Sequence, residues 1–175
     1  MLTRMRRGIT QEKTEALVNT IREKVPGIAI RTTLISGFPG ETQADHDDSL
    51  RWIERMRFDR LGAFTYSHEE DTHAHTMADD VPAGVKEQRV QEIMELQGGI
   101  SLELNHAKVG RVFRVLVDKA EAGHYVARTE FDSPEVDNEV LVPMADNYLR
   151  IGDFAEVRVT EAREHELHGE PIPAT

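Results

Sequence analysis

Apolar residues recur at two different periods along the first third of the chain. The segment 11–24 carries apolar residues three and four positions apart, follows a capping threonine and ends at Pro26-Gly27, which predicts a helix. The β-branched run 28–35 predicts a strand, and helical spacing returns over 43–56. A second strand is predicted at 60–67. Helix, strand, helix and strand with short connections indicate an α/β arrangement with parallel strands.

The second half of the chain changes from one long helix to short strands. A helix is predicted from Pro82 to about Ala107, with a kink or break at Gly98-Gly99 because glycine destabilises a helix interior. Turn residues then separate short runs of strand-forming residues, which predicts a small all-β barrel. These predicted strands are 112–117, 125–129, 140–142 and 154–159.

The number of predicted strands decides the domain organisation. Two strands do not make a stable sheet of the parallel α/β class, so we expect the first part to be the end of a larger domain. We also expect the chain to be the C-terminal portion of a longer protein, although Met1 leaves a genuine short start open. The predicted boundaries are 1–80 for the α/β part, 81–107 for a connecting helix and 108–175 for the β-barrel.

The turn after the first strand is the main candidate binding element. Gly37, Pro39 and Gly40 end the strand, and Thr42 stands where a helix N-cap belongs, three residues before Asp45. Such a strand–turn–helix unit places backbone N–H groups at the carboxyl end of a strand, where parallel α/β folds bind ligands. The turn lacks the lysine that a phosphate-binding P-loop requires.

Charge and cysteine content narrow the function classes. The 175 residues carry a formal net charge of −11, which argues against a free-standing nucleic-acid binder and favours a neutral ligand or a basic protein partner. The barrel segment 108–175 has eight basic and fourteen acidic residues, a net charge of −6. The chain has no cysteine, so it alone cannot build a disulfide, a zinc ribbon or a cysteine-held iron–sulfur cluster. No apolar stretch is long enough to span a membrane, and we expect a cytoplasmic protein.

A histidine-rich segment follows the second predicted strand. Three histidines and three acids lie within His68–His75, and imidazole and carboxylate groups both bind divalent metals. Their spacing matches no fixed metal motif. We therefore predict a solvated loop and no dedicated metal site, and whether the loop binds metal adventitiously stays open.

Several motifs together resemble the radical SAM methylthiotransferases over nearly the whole chain. The resemblance lies in Met5-Arg6-Arg7-Gly8, in the Gly37–Thr42 turn, in Arg57-Phe58-Asp59-Arg60 and in the connector 82–104. It implies that residues 1–80 are the last part of a radical SAM TIM-like barrel and that residues from 108 form a TRAM domain.

Further motifs resemble one branch of this family. They are 57–64, 132–137 and Glu166-Leu167-His168-Gly169, which are similar to the branch that modifies an aspartate of a small-subunit ribosomal protein. A sister branch, the MiaB-like enzymes, modifies an adenosine in tRNA. We take a basic ribosomal protein as the implied partner and tRNA as the less favoured one.

The resemblance also implies the cofactors. Family members use S-adenosylmethionine and two cysteine-held [4Fe–4S] clusters, whose cysteines lie upstream of the matching region. Because this chain lacks cysteine, we expect it to be inactive alone and to carry no catalytic residue. A non-catalytic, TRAM-containing binding module is the remaining alternative.

Two groups of site residues follow from the resemblance. Ile35, Gly37, Gly40 and Glu41 match the strand-end motif that approaches the adenosine part of S-adenosylmethionine; Glu41 could instead be only a helix-start charge. For the barrel, we predict that an acidic rim contacts the basic substrate protein, or else is merely a solvated turn. The predicted rim residues are Asp132, Glu135 and Asp137.

Overall fold

The computed structural model describes residues 2–134, 136–145 and 147–172, and divides the chain into two compact units. The first unit is Met1–Gln97 and the second is Gly98–Thr175. The division falls inside a long helix, so each unit contains one half of that helix. The glutamate at 135, predicted as a rim residue, lies outside the described residues.

The first unit alternates helices and strands as the pattern predicts. Its elements are α1 (Gln11–Lys24), β1 (Arg31–Ser36), α2 (Gln43–Met56), β2 (Arg60–Thr65), a short 3₁₀ helix (His73–Thr76) and the first half of α3 (Ala83–His106). Both predicted helices have the observed bounds, whereas β1 begins three residues later than predicted and β2 ends two residues earlier.

Strands β1 and β2 pair in parallel over their whole length. The register runs from Arg31 opposite Arg60 to Ser36 opposite Thr65. Behind the strands, the side chains of Ile53 and Phe58 are almost completely buried. The α/β expectation for this part of the chain is therefore confirmed as a two-stranded parallel sheet with helices.

Two polar contacts tie α3 to the elements before it. His46 of α2 is buried, and its Nε2 atom lies 2.7 Å from Oε2 of Glu92. The Gln88 amide and then His46 hold the pKa of Glu92 below its ordinary value. Farther along the helix, the side chain of Gln97 donates to the carbonyl oxygen of Phe58 over 2.9 Å. These contacts fix the first half of α3 within the first unit.

The second unit contains a closed five-stranded barrel, which confirms the predicted all-β fold. The strands are β3 (Val112–Glu121), β4 (His124–Thr129), β5 (Glu139–Pro143), β6 (Phe154–Ala162) and β7 (Glu166–Pro171). Their order around the barrel is β3-β4-β5-β7-β6, and all pairs are antiparallel except β5 with β7. The interior is a cluster of small branched side chains, chiefly valines.

Strand β7 is absent from the strands predicted by periodicity. Its sequence contains Gly169 and ends at Pro171, residue types that lower strand propensity. The barrel requires the glycine, because a Cβ there would collide with the Val157 side chain and lie 2.7 Å from the carbonyl oxygen of Arg158. The residue that weakens the sequence signal therefore permits the close approach of β6 and β7.

Helix α3 is helical at every residue from Ala83 to His106, so the break expected at Gly98-Gly99 does not occur. A side chain at Gly98 would meet the carboxylate of Glu164, whereas Gly99 has open space beside it. In the part of the chain that the structure describes, no helix is long and apolar enough to cross a membrane.

A buried asparagine joins the end of α3 to the barrel. Asn105 is fully buried, and its amide donates to the carbonyl oxygens of Arg163 (2.8 Å) and Glu164 (3.2 Å). Its side-chain oxygen accepts hydrogen bonds from Asn138 (2.7 Å) and Lys108 (2.9 Å). One side chain thus satisfies groups from the turn before β7, the segment before β5 and the end of the helix.

We predict that Asn105→Ala destabilises the barrel by about 2 kcal/mol or more, because it leaves several buried polar groups unpaired. The exposed neighbour His106 provides the control, and His106→Ala should stay within about 0.5 kcal/mol of the parent. Urea unfolding followed through the amide resonances of the barrel strands measures both. Equal midpoints for the two variants would contradict the role given to Asn105.

Candidate functional site

The turn after β1 is a closed loop with two glycines in the left-handed region. Gly37 and Gly40 have φ angles of 78° and 76°, and the amide of Glu41 donates to the carbonyl oxygen of Phe38 over 2.9 Å. The Phe38 ring is buried and packs edge-on against Tyr66, with 5.3 Å between ring centroids. The turn is thereby attached to the residue that follows β2.

The carboxylate of Glu41 is bound on two sides. Its Oε2 atom accepts hydrogen bonds from the amides of Gly37 (2.8 Å) and Phe38 (3.4 Å). Its Oε1 atom accepts one from Nη1 of Arg89 over 2.9 Å, and the Glu41 side chain is only 9% exposed. The same Nη1 atom lies 3.3 Å from the backbone carbonyl oxygen of Glu41. Glu41 therefore lies at the end of the turn, and its carboxylate joins the amides at the start of the turn to Arg89.

Every N–H group from Gly37 to Thr42 has an acceptor within the first unit. Beyond the amides that Glu41 binds or donates, Gly40 donates to Asp80 over 2.6 Å and Thr42 donates to Asp45 over 2.9 Å. Pro39 has no N–H group. These amides are therefore taken up by acceptors inside the first unit, namely three carboxylates and one backbone carbonyl oxygen, and the expected contact of the turn with a ligand stays a prediction.

The two glycines lie at positive φ, where other residues are strained, and a close neighbour adds to this requirement at Gly37. A Cβ on Gly37 would collide with the aliphatic part of Lys86, and one on Gly40 would collide with the guanidinium of Arg4. Lys86 is buried, and its Nζ atom lies 2.7 and 2.8 Å from the two carboxylate oxygens of Asp79. The same atom lies 5.0 Å from the centre of the Tyr66 ring. The left-handed backbone thus explains both glycines, and packing against the Lys86 stem is a second reason only at Gly37, because the Arg4 guanidinium beside Gly40 can move aside.

An apolar platform lies beside this turn on the open face of the sheet. Ile35 is 40% exposed, and its register partner Phe64 is 63% exposed. Thr33 is exposed on the same face of β1, whereas Tyr66 is buried. Because the adjoining turn has no free donors, the platform suits a flat, neutral group better than a phosphate.

Three residues of this region were missed at the level of sequence. Lys86 and Arg89 come from the helix predicted as a connector, and Phe64 was considered only as part of a motif. One feature of the sequence could have identified the two cations: Lys86 and Arg89 are three residues apart, and they follow the acidic pair Asp79-Asp80. Hydropathy ranks such residues as surface residues, which is why it did not identify them.

The predicted acidic rim of the barrel is largely occupied by contacts within its own loop. Asp132 is 5% exposed and accepts a hydrogen bond of 2.6 Å from the hydroxyl of Thr129. Asp137 accepts one of 2.8 Å from the amide of Ser133. Both carboxylates therefore shape the loop between β4 and β5, and their contact with a substrate protein stays a prediction.

The histidine-rich segment contains stacked rings. His68 lies 3.2 Å from the Tyr66 hydroxyl through its Nδ1 atom, and its ring centroid is 4.4 Å from that of His75. Across the described residues, no three histidine or acidic side chains come together as a metal site would need. Whether this loop binds a metal ion stays a prediction.

Comparison with known proteins finds relatives over nearly the whole chain. Residues 109–172 match the TRAM domain family. The chain is 57% identical over 172 residues to a protein of Cytophaga hutchinsonii named ribosomal protein uS12 methylthiotransferase RimO. The chain is similar to a segment of this RimO methylthiotransferase.

Other RimO proteins show the same extent of similarity. Those of Flavobacterium johnsoniae and Bacteroides fragilis are 54% and 47% identical over 171 and 173 residues. In all three comparisons the match covers 98% of this chain but only 39–40% of the RimO relative. The resemblance to methylthiotransferases with a TRAM domain is thus confirmed, and the chain spans about two fifths of the length of these relatives.

The capping box of Thr42 and Asp45, at the start of α2, makes the stability of this helix depend on pH. The hydroxyl of Thr42 and then its amide hold the pKa of Asp45 below the ordinary value. A carboxyl whose pKa is lowered by folding adds stability above its unfolded pKa and loses it as the pH falls through the folded pKa. Asp45→Asn should therefore cost about 1 kcal/mol at pH 7, with the difference from the parent narrowing below about pH 4.

Asp48→Asn is the matched control, because Asp48 forms a surface pair with Arg51 at 3.5 Å and is not part of the Thr42–Asp45 cap. Urea unfolding between pH 3 and pH 7, followed by Trp52 fluorescence, reports on the same helix. A pH-independent difference between Asp45→Asn and the parent would show that the Asp45 charge does not stabilise this cap.

Proposed function

We propose that this chain is the C-terminal part of a radical SAM methylthiotransferase that acts on an aspartate of ribosomal protein uS12. The observation that carries the proposal is the similarity of 98% of the chain, at 57% identity, to a protein named as the RimO methylthiotransferase of uS12. The closed barrel supports it, because its sequence matches the TRAM domain.

The first unit supplies features that fit S-adenosylmethionine. Ile35 and Phe64 form an exposed apolar pair at the carboxyl end of two parallel strands, where a purine ring can pack. Gly37 and Gly40 allow the turn beside this pair, and Glu41 holds the amides of the turn. We propose that the four predicted residues, with Phe64, form one wall of the cofactor site.

The residue content of this chain limits which part of the reaction it can support. S-adenosylmethionine and two [4Fe–4S] clusters would supply the radical, sulfur-transfer and methyl-transfer chemistry of the whole enzyme. This chain has no cysteine to hold either cluster. Its own residues therefore bind and orient the adenosine part and exclude water from that face.

The substrate proposal rests on charge. Ribosomal proteins are basic, and the chain has a net charge of −11, which favours encounter with a cationic protein. We propose that the loop shaped by Asp132 and Asp137, together with Glu135, forms the acidic rim that the substrate protein approaches. We also propose the cytoplasm as the location of an enzyme with a ribosomal substrate.

One observation favours tRNA as a second candidate substrate. On the outer face of β3 and β6, the guanidinium of Arg114 lies 4.1 Å from the centre of the exposed Phe154 ring. Paired arginine and aromatic side chains bind bases by stacking and phosphates by charge. The barrel's net charge of −6 opposes this alternative.

A hybrid enzyme tests the proposal. The full-length RimO of Cytophaga hutchinsonii is prepared with this chain in place of its matching segment and is incubated with S-adenosylmethionine, reductant and uS12. We expect mass spectrometry to show a methylthio group on one uS12 aspartate and no modification of tRNA. Activity on tRNA alone, or on neither substrate while the parent enzyme modifies uS12, would contradict the proposal.

A further inference from the structure

Two buried cationic side chains of α3 contact the Gly37–Glu41 turn. The Arg89 and Lys86 side chains are 6% and 7% exposed, and they lie one turn apart on the helix. Arg89 bonds the Glu41 carboxylate, and Lys86 packs where a side chain on Gly37 would stand.

We propose that Arg89 and Lys86 are positioning residues for the cofactor, a role that rests on the proposed function of the Gly37–Glu41 turn. Arg89 sets the position of the Glu41 carboxylate, and that carboxylate sets the amides of Gly37 and Phe38. Both cations are almost completely buried; Arg89 acts through the turn, and Lys86 acts through the turn and Tyr66.

The burial of the Glu41–Arg89 pair makes the link strong. Removing one partner of a buried ion pair is strongly destabilising, because it leaves an uncompensated charge out of water. Without Arg89, the Glu41 carboxylate would have to turn towards solvent, and the amides of Gly37 and Phe38 would lose their acceptor. The turn would then lose the conformation that borders Ile35.

The attachment of Arg89 depends on geometry as well as charge. One nitrogen, Nη1, contacts both the carboxylate (2.9 Å) and the backbone carbonyl oxygen (3.3 Å) of Glu41. The Nε atom of Arg89 is buried without a hydrogen-bond partner among the described residues. A lysine can replace the charge of Arg89, but its Nζ atom lies one bond nearer the backbone than Nη1 and therefore reaches the two oxygens less well.

Lys86 extends the same support to the second strand. Its Nζ atom lies 3.4 Å from the carbonyl oxygen of Tyr66, and its stem fills the space beside Gly37. Ile35 lies two residues before Gly37, and Phe64 lies two residues before Tyr66. Lys86 therefore connects the two chain segments that carry the apolar platform.

The test uses the hybrid enzyme with Arg89→Met, Arg89→Lys and the control Arg55→Met. Arg55 is a surface arginine whose Nη2 atom pairs with Glu15 at 3.1 Å, away from the turn. We expect Arg89→Met to raise both the KM and the calorimetric Kd for S-adenosylmethionine by about tenfold while kcat changes by less than about twofold. Arg89→Lys should recover part of the affinity, and Arg55→Met should match the unaltered hybrid.

The outcomes separate the two proposals. If the unaltered hybrid binds S-adenosylmethionine and Arg89→Met binds it equally well, the positioning role is wrong and the proposed function stands. If the unaltered hybrid neither binds nor reacts, the proposed function falls, and the positioning role falls with it. Should Arg89→Met fail to fold by circular dichroism, Arg89→Lys decides: weaker binding than in an Arg55→Lys control supports the role, and equal binding overturns it.

Discussion

The carboxylate of Glu41 is the contact on which the candidate site depends. It accepts two backbone amides of its own turn and the guanidinium of Arg89, and it is almost removed from water. A buried charge is tolerable only when it is paired and hydrogen-bonded in this way. The arrangement gives the turn one conformation and leaves the neighbouring strand ends open for a neutral, apolar ligand face.

Helix α3 shows where reasoning from hydropathy fails. Periodicity predicted its length well, but hydropathy gave no sign of the polar residues on its buried face. The buried face in fact includes polar residues, namely Lys86, Arg89, Gln97, Ser101 and Asn105. Each of these side chains bonds a backbone carbonyl or a carboxylate in the same compact unit, and no sequence periodicity encodes such partners.

For the barrel, in contrast to α3, hydropathy predicted most of the structure. Alternating valines were enough to predict four of its strands, because an interior lined by branched side chains has a period of two. The closing strand β7 could not be predicted in this way, since Gly169 has no side chain to pack and instead lets the backbones of β6 and β7 come close together. For the candidate site, sequence motifs identified Ile35 and the turn, whereas the supporting cations required the three-dimensional structure.

Amide hydrogen exchange of this chain tests the central claim most directly. If Glu41 holds the turn, the amides of Gly37 and Phe38 exchange slowly in the parent, and Glu41→Ala makes both exchange at the rate of unprotected amides while the α2 amides stay protected. Rapid exchange of Gly37 and Phe38 in the folded parent, or protection that survives Glu41→Ala, would contradict the account.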